Sequence, residues 1–355
     1  MVSYLNTKPL DFQLPSALQC AQPTELRNIA RDEVRLMVSH RSTNQIEHSQ
    51  FKYLDQFLQA GDVLVVNTSG TLPAALSVIL PDGQPGRLHL STRRKEQEWL
   101  VEVRRVAENK THRYTDIRAG QEFSLPEDGT VHIMAPYYQG NVPEEHLQLW
   151  VAQFDLPLPA TQFLQKHGTP IRYAQVEEAY PSEYYQTVFA KNPGSAEMPS
   201  AGRAFTPELV SRLVAKGIQF APILLHTGVA SLETNEQPYP EYFQVGQTTA
   251  SLINWARKEG RRIIAVGTTA VRALETVVDA AGQLQVGTGW TNKFITPEEG
   301  LRVVDGLLTG FHEPRASHLL MLEALADRSH LAISYKAAID KKYQWHEFGD
   351  LHLIL

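Results

Sequence analysis

Residues 261–276 read RRIIAVGTTAVRALET and predict a strand, a turn and a helix, in that order. The short apolar run, rich in β-branched residues, predicts a buried strand that Gly267 ends. The hydroxyl of Thr268 or Thr269 can cap the helix that follows, which carries Arg272. Such a turn is a common place to bind an anion or the ribose of a ligand, although the same residues also make a purely structural α/β turn.

Strand and helix patterns alternate through the second half of the chain. Thr206 and Pro207 are typical of a helix start, and Gly217 of a helix end. The same patterns predict further helices at residues 248–260, from Thr296 onward, at 315–327 and at 334–345. Strands separated by helices indicate an α/β fold, with a largely parallel sheet core flanked by helices.

Polar or small residues follow several of the predicted strands. Asn67 ends DVLVVN, His226 ends IQFAPILLH, and Gly267–Thr269 follow the strand of the opening stretch. Ligands bind outside the carboxyl ends of parallel strands. We therefore expect these residues, from three distant parts of the chain, to lie near one cleft.

Residues 71–153 show a different sequence pattern from the rest of the chain. Short alternating segments such as GRLHLST and EWLVEVRRV are separated by turn sequences such as PDGQPG and PEDG. This spacing predicts a small β-barrel. Because helix and strand patterns resume afterwards, we expect an inserted β-barrel domain at 67–153 and an α/β core domain formed by 1–66 and 154–355.

The composition indicates an ordinary globular protein, with 43% hydrophobic and 20% charged residues. No apolar run is long enough to span a bilayer, and the N-terminus lacks a signal-peptide pattern, so we expect a cytoplasmic protein without membrane contact. Cys20 is the single cysteine, which excludes an internal disulfide and a multi-thiolate zinc site. No metal-ligand spacing, P-loop or dinucleotide fingerprint is present, and we infer no metal.

Basic residues cluster on the predicted barrel. The chain carries a net charge of −6, yet the segment 87–118 holds nine Lys/Arg against five Asp/Glu. The prominent members of this cluster are Arg93, Arg94, Lys95, Arg104 and Arg105. They are either the solvated face of a β-module or a surface that contacts RNA phosphates.

Several long motifs, in order, carry a family resemblance. They include GDVLVVNTSGTLPAAL (61–76), YYQTVFAKNPGSAEMPSAGRAF (184–205), IIAVGTTAVRALE (263–275) and FITPEEGLRVVDGLLTGFHEPRASHLLML (294–322). With them the chain resembles the S-adenosylmethionine:tRNA ribosyltransferase-isomerase family of queuosine biosynthesis. The resemblance implies an α/β core with an inserted β-barrel. It also implies transfer and isomerisation of the ribosyl moiety of S-adenosylmethionine to 7-aminomethyl-7-deazaguanine in tRNA, forming epoxyqueuosine with release of adenine and methionine.

That reaction needs a base, a proton donor, hydrogen bonds to ribose and a contact for the methionine carboxylate. The resemblance implies His226, Glu241 and His312 as candidate catalytic groups. It implies substrate-binding roles for Asn67, Ser200, Gly202, Arg203, Gly228, Tyr242, Gly267, Thr268, Thr269 and Arg272. The expected partners are S-adenosylmethionine, as a substrate rather than a cofactor, and tRNA, bound by a monomer.

Each candidate also has a structural interpretation. His226 could be a core histidine that bonds to the backbone, and Glu241 a loop charge. Arg272 could pair with Glu275 or Glu259. His312 could only cap the C-terminus of a helix.

Some positions depart from the family pattern. Gly70 and Ala75 stand where arginines are expected, Ala204 and Tyr239 where histidines are expected, and Gly310 where an asparagine is expected. The chain is therefore either a divergent enzyme that keeps the reaction, or a paralogue. Such a paralogue would use a changed nucleoside or RNA substrate, or would bind RNA without catalysis.

Arg203 adds a positive charge that the family pattern lacks, next to Ala204. We expect Arg203 to reach into the cleft and take over part of the anion contact, with His226 as the main proton-transfer group. The alternative is a surface arginine that precedes the helix cap at Thr206. His318, where the family is apolar, could also replace a lost polar group.

Overall fold

The computed structural model describes residues 8–108, 110–137, 148–172, 176, 178–229 and 239–355. The α-helices in this part of the chain, α1 to α6, are Ala160–His167, Pro207–Ala215, Gln247–Lys258, Thr268–Val277, His318–Ala326 and Arg328–Asp340. No described helix is both long and apolar enough to cross a membrane.

A mixed sheet of nine strands forms the centre of the described structure. Numbered in chain order with the strands given below, they are β1 (Arg35–His40), β2 (Gln45–Gln50), β3 (Val63–Asn67), β13 (Gln219–Leu225), β14 (Glu241–Val245), β15 (Ile263–Val266), β16 (Gly287–Thr291), β17 (Gly306–Gly310) and β18 (Leu351–Ile354). Their order across the sheet is β16-β14-β13-β3-β15-β17-β18-β1-β2.

The four central strands of the sheet are parallel, and outside them every pairing is antiparallel except that of β1 with β18, which is parallel. β13, β3, β15 and β17 run parallel to one another. β14 and β18, which flank this group, run antiparallel to it, and β16 and β2 pair antiparallel with their neighbours. The expectation of a largely parallel sheet is therefore wrong for the sheet as a whole. Pairs such as β1–β2 are joined by too few residues for the crossover that a parallel pair needs.

Helices and turns cover both faces of this sheet. Val63 and Val65 of β3 face a cluster that includes residues of α3 to α6, whereas Leu64 and Val66 face a second cluster that includes Phe205 and residues of α2. Alternate residues of a strand point to opposite faces, so this strand is apolar throughout. The apolar run ends at the polar edge where the candidate site lies.

Seven further strands form a second sheet. They are β5 (Ala75–Ile79), β6 (Pro85–Arg93), β7 (Glu98–Ala107), β8 (Lys110–Arg113), β9 (Glu122–Ser124), β10 (Thr130–Pro136) and β11 (Trp150–Asp155). The order β5-β6-β7-β11-β10-β9 brings the edge strands β5 and β9 into contact, so the sheet is a nearly closed barrel. Phe163 of α1 joins its hydrophobic core. The division at residues 67 and 153 stays a prediction.

A pair of parallel strands brings together two segments that are far apart in the sequence. It is formed by β4 (Ser69–Thr71) and β12 (Asn192–Ser195). β4 directly follows β3, and β12 precedes the segment that leads into α2. In this pair Ser69 lies opposite Asn192, and the hydroxyl of Ser69 reaches that of Ser195, 2.6 Å away, near the carboxyl end of β13.

The sequence predicted the N-cap residue of α2 correctly, but not that of α4. Thr206 caps α2 as predicted, with its hydroxyl accepting the N–H of Leu209 at 3.2 Å. α4 has Gly267 rather than a threonine at its N-cap, so the predicted threonine cap is wrong. Gly267 has a φ of +91°, which places it in the left-handed region that favours glycine.

The helix predicted from Thr296 does not form. Only a turn closes there, and Gly300 has a φ of +64°. The carboxylate of Glu275 then accepts the backbone N–H groups of Arg302 and Val303, at 2.9 and 3.0 Å. This buried carboxylate holds the segment in a non-helical path, which a local pattern does not reveal.

Candidate active site

A cavity of about 520 Å³ lies at the carboxyl edge of the central strands. β15 brings the turn after it to this cavity, and β17 brings the residues that follow Gly310. The predicted site residues that line it are Ser200, Gly228, Glu241, Gly267, Thr268, Thr269, Arg272 and His312. The structure thus collects one group of predicted residues at one place, and their roles stay predictions.

Arg272 and Glu241 form an ion pair in the wall of this cavity. The other oxygen of Glu241 accepts the N–H of Gly228 at 2.8 Å, and Nε of Arg272 donates to the carbonyl of Lys293 at 3.1 Å. Arg272 is 7% exposed and Glu241 9%. Glu241 is therefore not a loop charge, and it, rather than Glu275 or Glu259, is the partner of Arg272.

Imidazole rings form another part of the wall. His312 and His318 are stacked, with ring centroids 4.8 Å apart and planes 7° apart. Burial lowers the pKa of His318 to about 4, with Arg272 adding to the shift, and burial together with the nearby His318 holds the pKa of His312 well below its usual value. Both rings are therefore neutral near pH 7. His312 does not cap a helix, because its Nε2 lies 3.0 Å from the hydroxyl of Thr309.

The turn after β15 starts α4 and also forms part of the cavity wall. Thr268 and Thr269 open α4 and line the cavity. Asn67 lies behind them, 4% exposed, with its amide 3.4 Å from the Thr269 hydroxyl and 2.8 Å from the carbonyl of Leu225. The side chain of Asn67 ties β3 to β13, and its predicted contact with substrate stays a prediction.

A second groove, of about 580 Å³, lies between the barrel and the central sheet. The central sheet contributes the rings of His226, Tyr242 and Trp290. The turn between β6 and β7 contributes the side chains of 93–95. Tyr242 and Trp290 meet edge to face at 5.7 Å, and Trp290 is 46% exposed. His226 and Tyr242 therefore line this groove rather than the cavity at the carboxyl edge of the sheet.

His226 is held firmly at one end of the groove. Its Nδ1 lies 2.7 Å from the hydroxyl of Ser69, and its ring stacks on Tyr242 with centroids 5.9 Å apart. On Gly194, a Cβ atom would overlap the imidazole ring. Burial lowers the pKa of His226. The ring is therefore neutral near pH 7, and a side-chain hydroxyl rather than the backbone is its partner.

Arg203 lies elsewhere, so the prediction that it enters the cleft is wrong. It is 3% exposed and pairs with Glu25, while its Nε donates to the carbonyl of Tyr184 at 2.9 Å and its Nη1 to the hydroxyl of Thr24 at 3.1 Å. These contacts tie the N-terminal segment to the core. Gly202 is also buried and lines neither cavity, and its predicted substrate-binding role stays a prediction.

The predicted basic surface divides into two parts. Arg93, Arg94 and Lys95 are exposed and line the groove. The pairing of β6 with β7 puts Arg104 and Arg105 at the opposite end of these strands. There they bond to Glu102 and Asp82, respectively. Arg104 and Arg105 therefore do not belong to the groove surface.

Sequence reasoning did not assign a role to several residues of the two sites. His346 lines the cavity at the carboxyl edge of the sheet, where burial lowers its pKa to about 4. Trp290 lines the groove. Ser69 and Ser195 touch behind His226, with their hydroxyl oxygens 2.6 Å apart. No local pattern marks Trp290 as a site residue, because its exposure in the groove depends on how the barrel meets the central sheet.

Comparison with known proteins agrees with this architecture over its full length. The model of the queuosine biosynthesis protein family matches residues 7–354. A protein from Desulfitobacterium hafniense named S-adenosylmethionine:tRNA ribosyltransferase-isomerase is 36% identical, over 99% of this chain and 100% of its own length. A protein of the same name from Carboxydothermus hydrogenoformans is 34% identical, over 99% of this chain and 100% of its own length.

A solved structure is similar as well. The crystal structure of S-adenosylmethionine tRNA ribosyltransferase from Thermotoga maritima has a TM-score of 0.54 and 29% sequence identity to this chain. The match covers 98% of this chain and 99% of that one. The family model, the full-length relatives and the shared structure lead to one conclusion. This chain belongs to the queuosine biosynthesis protein family.

Proposed function

We propose that this protein transfers and isomerises the ribosyl moiety of S-adenosylmethionine to 7-aminomethyl-7-deazaguanine in tRNA, forming epoxyqueuosine and releasing adenine and methionine. One observation supports this best. The cavity at the carboxyl edge of the sheet combines a held carboxylate, neutral imidazoles and threonine hydroxyls, which are the groups that the reaction needs. In this proposal S-adenosylmethionine is a substrate, and no further cofactor takes part.

The cavity at the carboxyl edge of the sheet suits S-adenosylmethionine, because its volume falls within the usual range for small-molecule sites. Thr268 and Thr269, at the N-terminus of α4, can bond to ribose hydroxyls or to the methionine carboxylate. Since Glu241 already neutralises Arg272, the helix N-terminus is the better partner for that carboxylate. The neutral rings of His312 and His318 can accept the proton taken from the ribosyl carbon next to sulfur.

The groove suits the tRNA acceptor. Exposed aromatic rings can stack on a nucleobase, and the cations of residues 93–95 can meet backbone phosphates. The guanidinium of Arg94 already lies 5.8 Å from the ring centre of Tyr137, at the same end of the barrel. We propose that the protein binds tRNA here, as a monomer, in the cytoplasm.

Adenine release tests the proposal. Purified protein is incubated with S-adenosylmethionine and tRNA that carries 7-aminomethyl-7-deazaguanine, and free adenine is measured by chromatography. We expect adenine only when both substrates are present. The matched control is the same tRNA with unmodified guanine, which should release none. No adenine above this control would contradict the proposed reaction.

A paralogue with a changed substrate is the second candidate, and Gly310 is the observation that favours it. Gly310 lines the cavity at the carboxyl edge of the sheet, and a Cβ atom built there meets nothing within 4 Å. Space therefore exists where the family resemblance places an asparagine. Gly310→Asn should fold normally. If it raises the rate of adenine release at least tenfold, the cavity has lost a group that the reaction uses, and the changed-substrate function gains support.

A further inference from the structure

A chain of hydroxyl groups connects His226 to the backbone. The Oγ of Ser195 accepts the N–H of Thr227 at 3.0 Å and lies 2.6 Å from the Oγ of Ser69. Ser69 Oγ in turn lies 2.7 Å from Nδ1 of His226. Ser69 is 1% exposed and Ser195 is fully buried, so bulk water does not compete for either hydroxyl.

The number of hydroxyl protons decides which group donates in each hydrogen bond between Ser195, Ser69 and His226. Among the described residues, the proton of Ser195 has one acceptor within hydrogen-bond distance, which is Ser69 Oγ. A buried hydroxyl proton without an acceptor is unfavourable, so Ser195 donates to Ser69. The proton of Ser69 then has Nδ1 of His226 as its remaining acceptor. In the reverse direction the proton of Ser195 would have no acceptor.

We infer that Ser69 and Ser195 hold His226 as the neutral tautomer with its proton on Nε2. Gly194 on one side and Tyr242 on the other keep the ring in its plane. With Nδ1 occupied, Nε2 is the polar atom that His226 offers to the groove. His226 is then a fixed hydrogen-bond donor, and Ser69 and Ser195 are positioning residues.

This role differs from the proton transfer expected for His226 from the sequence. A neutral imidazole with its proton on Nε2 cannot take a proton there, but it can donate a hydrogen bond to a carbonyl oxygen or ring nitrogen. Beside Tyr242 and Trp290, the ligand with such atoms is a nucleobase. That identification of the ligand rests on the proposed function, whereas the tautomer does not.

Nuclear magnetic resonance of the full chain with ¹⁵N-labelled histidine tests the tautomer directly. Long-range ¹H–¹⁵N correlations near pH 7.5 distinguish the two neutral tautomers, and His226→Gln identifies the signals of His226 by their loss. We expect the proton on Nε2 in the wild type. A proton on Nδ1 in the wild type would overturn the inference without recourse to any variant.

Serine variants test the hydroxyl chain. In Ser195→Ala the Ser69 hydroxyl is free to accept from Nδ1, so the fraction with the proton on Nε2 should fall. Ser195→Thr keeps a hydroxyl and should restore it. Ser251→Ala, an exposed serine on α3, is the control and should change nothing. An unchanged tautomer in Ser195→Ala would contradict the positioning role.

Steady-state kinetics of His226 variants test whether the ring acts as a hydrogen-bond donor or as a base in the reaction. Glutamine offers an N–H close to the position of Nε2, so His226→Gln should keep kcat within about tenfold and mainly raise KM for tRNA. If His226 is a base instead, His226→Gln should lose ~10²–10⁴ in kcat, as His226→Ala would. A wild type that releases no adenine would contradict the proposed function and leave the resonance result standing.

Discussion

Arg272 lines the cavity at the carboxyl edge of the sheet, but its charge is already paired. Its guanidinium meets the carboxylate of Glu241, and the two residues as a whole are 7% and 9% exposed. Breaking one side of a buried ion pair costs roughly 3–5 kcal/mol, because the other charge is left without its partner. Replacing Arg272 by a neutral residue should therefore cost stability as well as change the cavity wall.

Arg272→Ala should lower the free energy of unfolding by about 3 kcal/mol, toward the smaller end of that range because the cavity admits water to Glu241. Urea unfolding measures this change. The double variant Arg272→Met with Glu241→Gln removes both charges and should recover most of the loss. A single variant as stable as the wild type would contradict the buried pair.

Gly194 controls the position of the His226 ring. A Cβ atom at this residue would overlap the imidazole, so Gly194→Ala must displace the ring away from Ser69. We expect a fall in adenine release of ~10²-fold, in line with the loss of a positioned group. Gly246→Ala is the control, since a Cβ atom there meets nothing within 4 Å. Equal activity of the two variants would show that the ring position does not matter.

At the scale of an element, α5 begins with a buried histidine. His318 is the first residue of α5, and burial lowers its pKa to about 4 from about 6.5 in an unfolded chain. Between these values the unfolded chain binds more protons than the folded one. Above pH 6.5 the ring of His318 is neutral in both states, so its titration takes no stability from the fold. As the pH falls from 6.5 toward 4, the unfolded chain takes up a proton at this residue and the free energy of unfolding falls.

His318→Leu should flatten this dependence of stability on pH. We expect the free energy of unfolding of the variant, measured by urea unfolding at several pH values, to fall less than that of the wild type between pH 6.5 and 4. Some slope should remain, because burial also lowers the pKa of His346 to about 4. His112→Leu, at an exposed position on the barrel, is the control. A slope equal to that of the wild type would contradict the shift at His318.

At the scale of the whole molecule, the groove sets a basic edge of the barrel against aromatic rings of the central sheet. The chain has a net charge of −6, so tRNA binding must depend on local cations. Each phosphate contact should contribute a slope of roughly 0.7–0.9 log units of affinity per log unit of salt. The exposed side chains at 93–95 are the candidates for these contacts.

Reversing the charges of Arg93, Arg94 and Lys95 should weaken tRNA binding and flatten its salt dependence. Filter binding or fluorescence anisotropy across a salt series measures both. Reversal of Lys341 and Lys342, exposed at the end of α6, is the control and should leave the slope unchanged. The same slope in both variants would place the tRNA on another surface.

Local sequence was enough to predict several elements correctly. The apolar runs of β3, β13 and β15, the cap of α2 and the short strands of the barrel all depend on neighbours within a few residues. Steric preferences and side-chain periodicity act over that range, so a sequence carries them directly. The meeting of strand ends at one polar edge follows from the parallel centre of the sheet.

The choice of partner for each polar side chain was decided by tertiary structure. Arg272 meets Glu241, 31 residues away, and Arg203 meets Glu25, 178 residues away. His226 turns toward the barrel because Ser69, 157 residues before it, holds its Nδ1. A buried charge or hydroxyl must find a partner wherever the packed chain supplies one, and no local pattern encodes which distant residue that is.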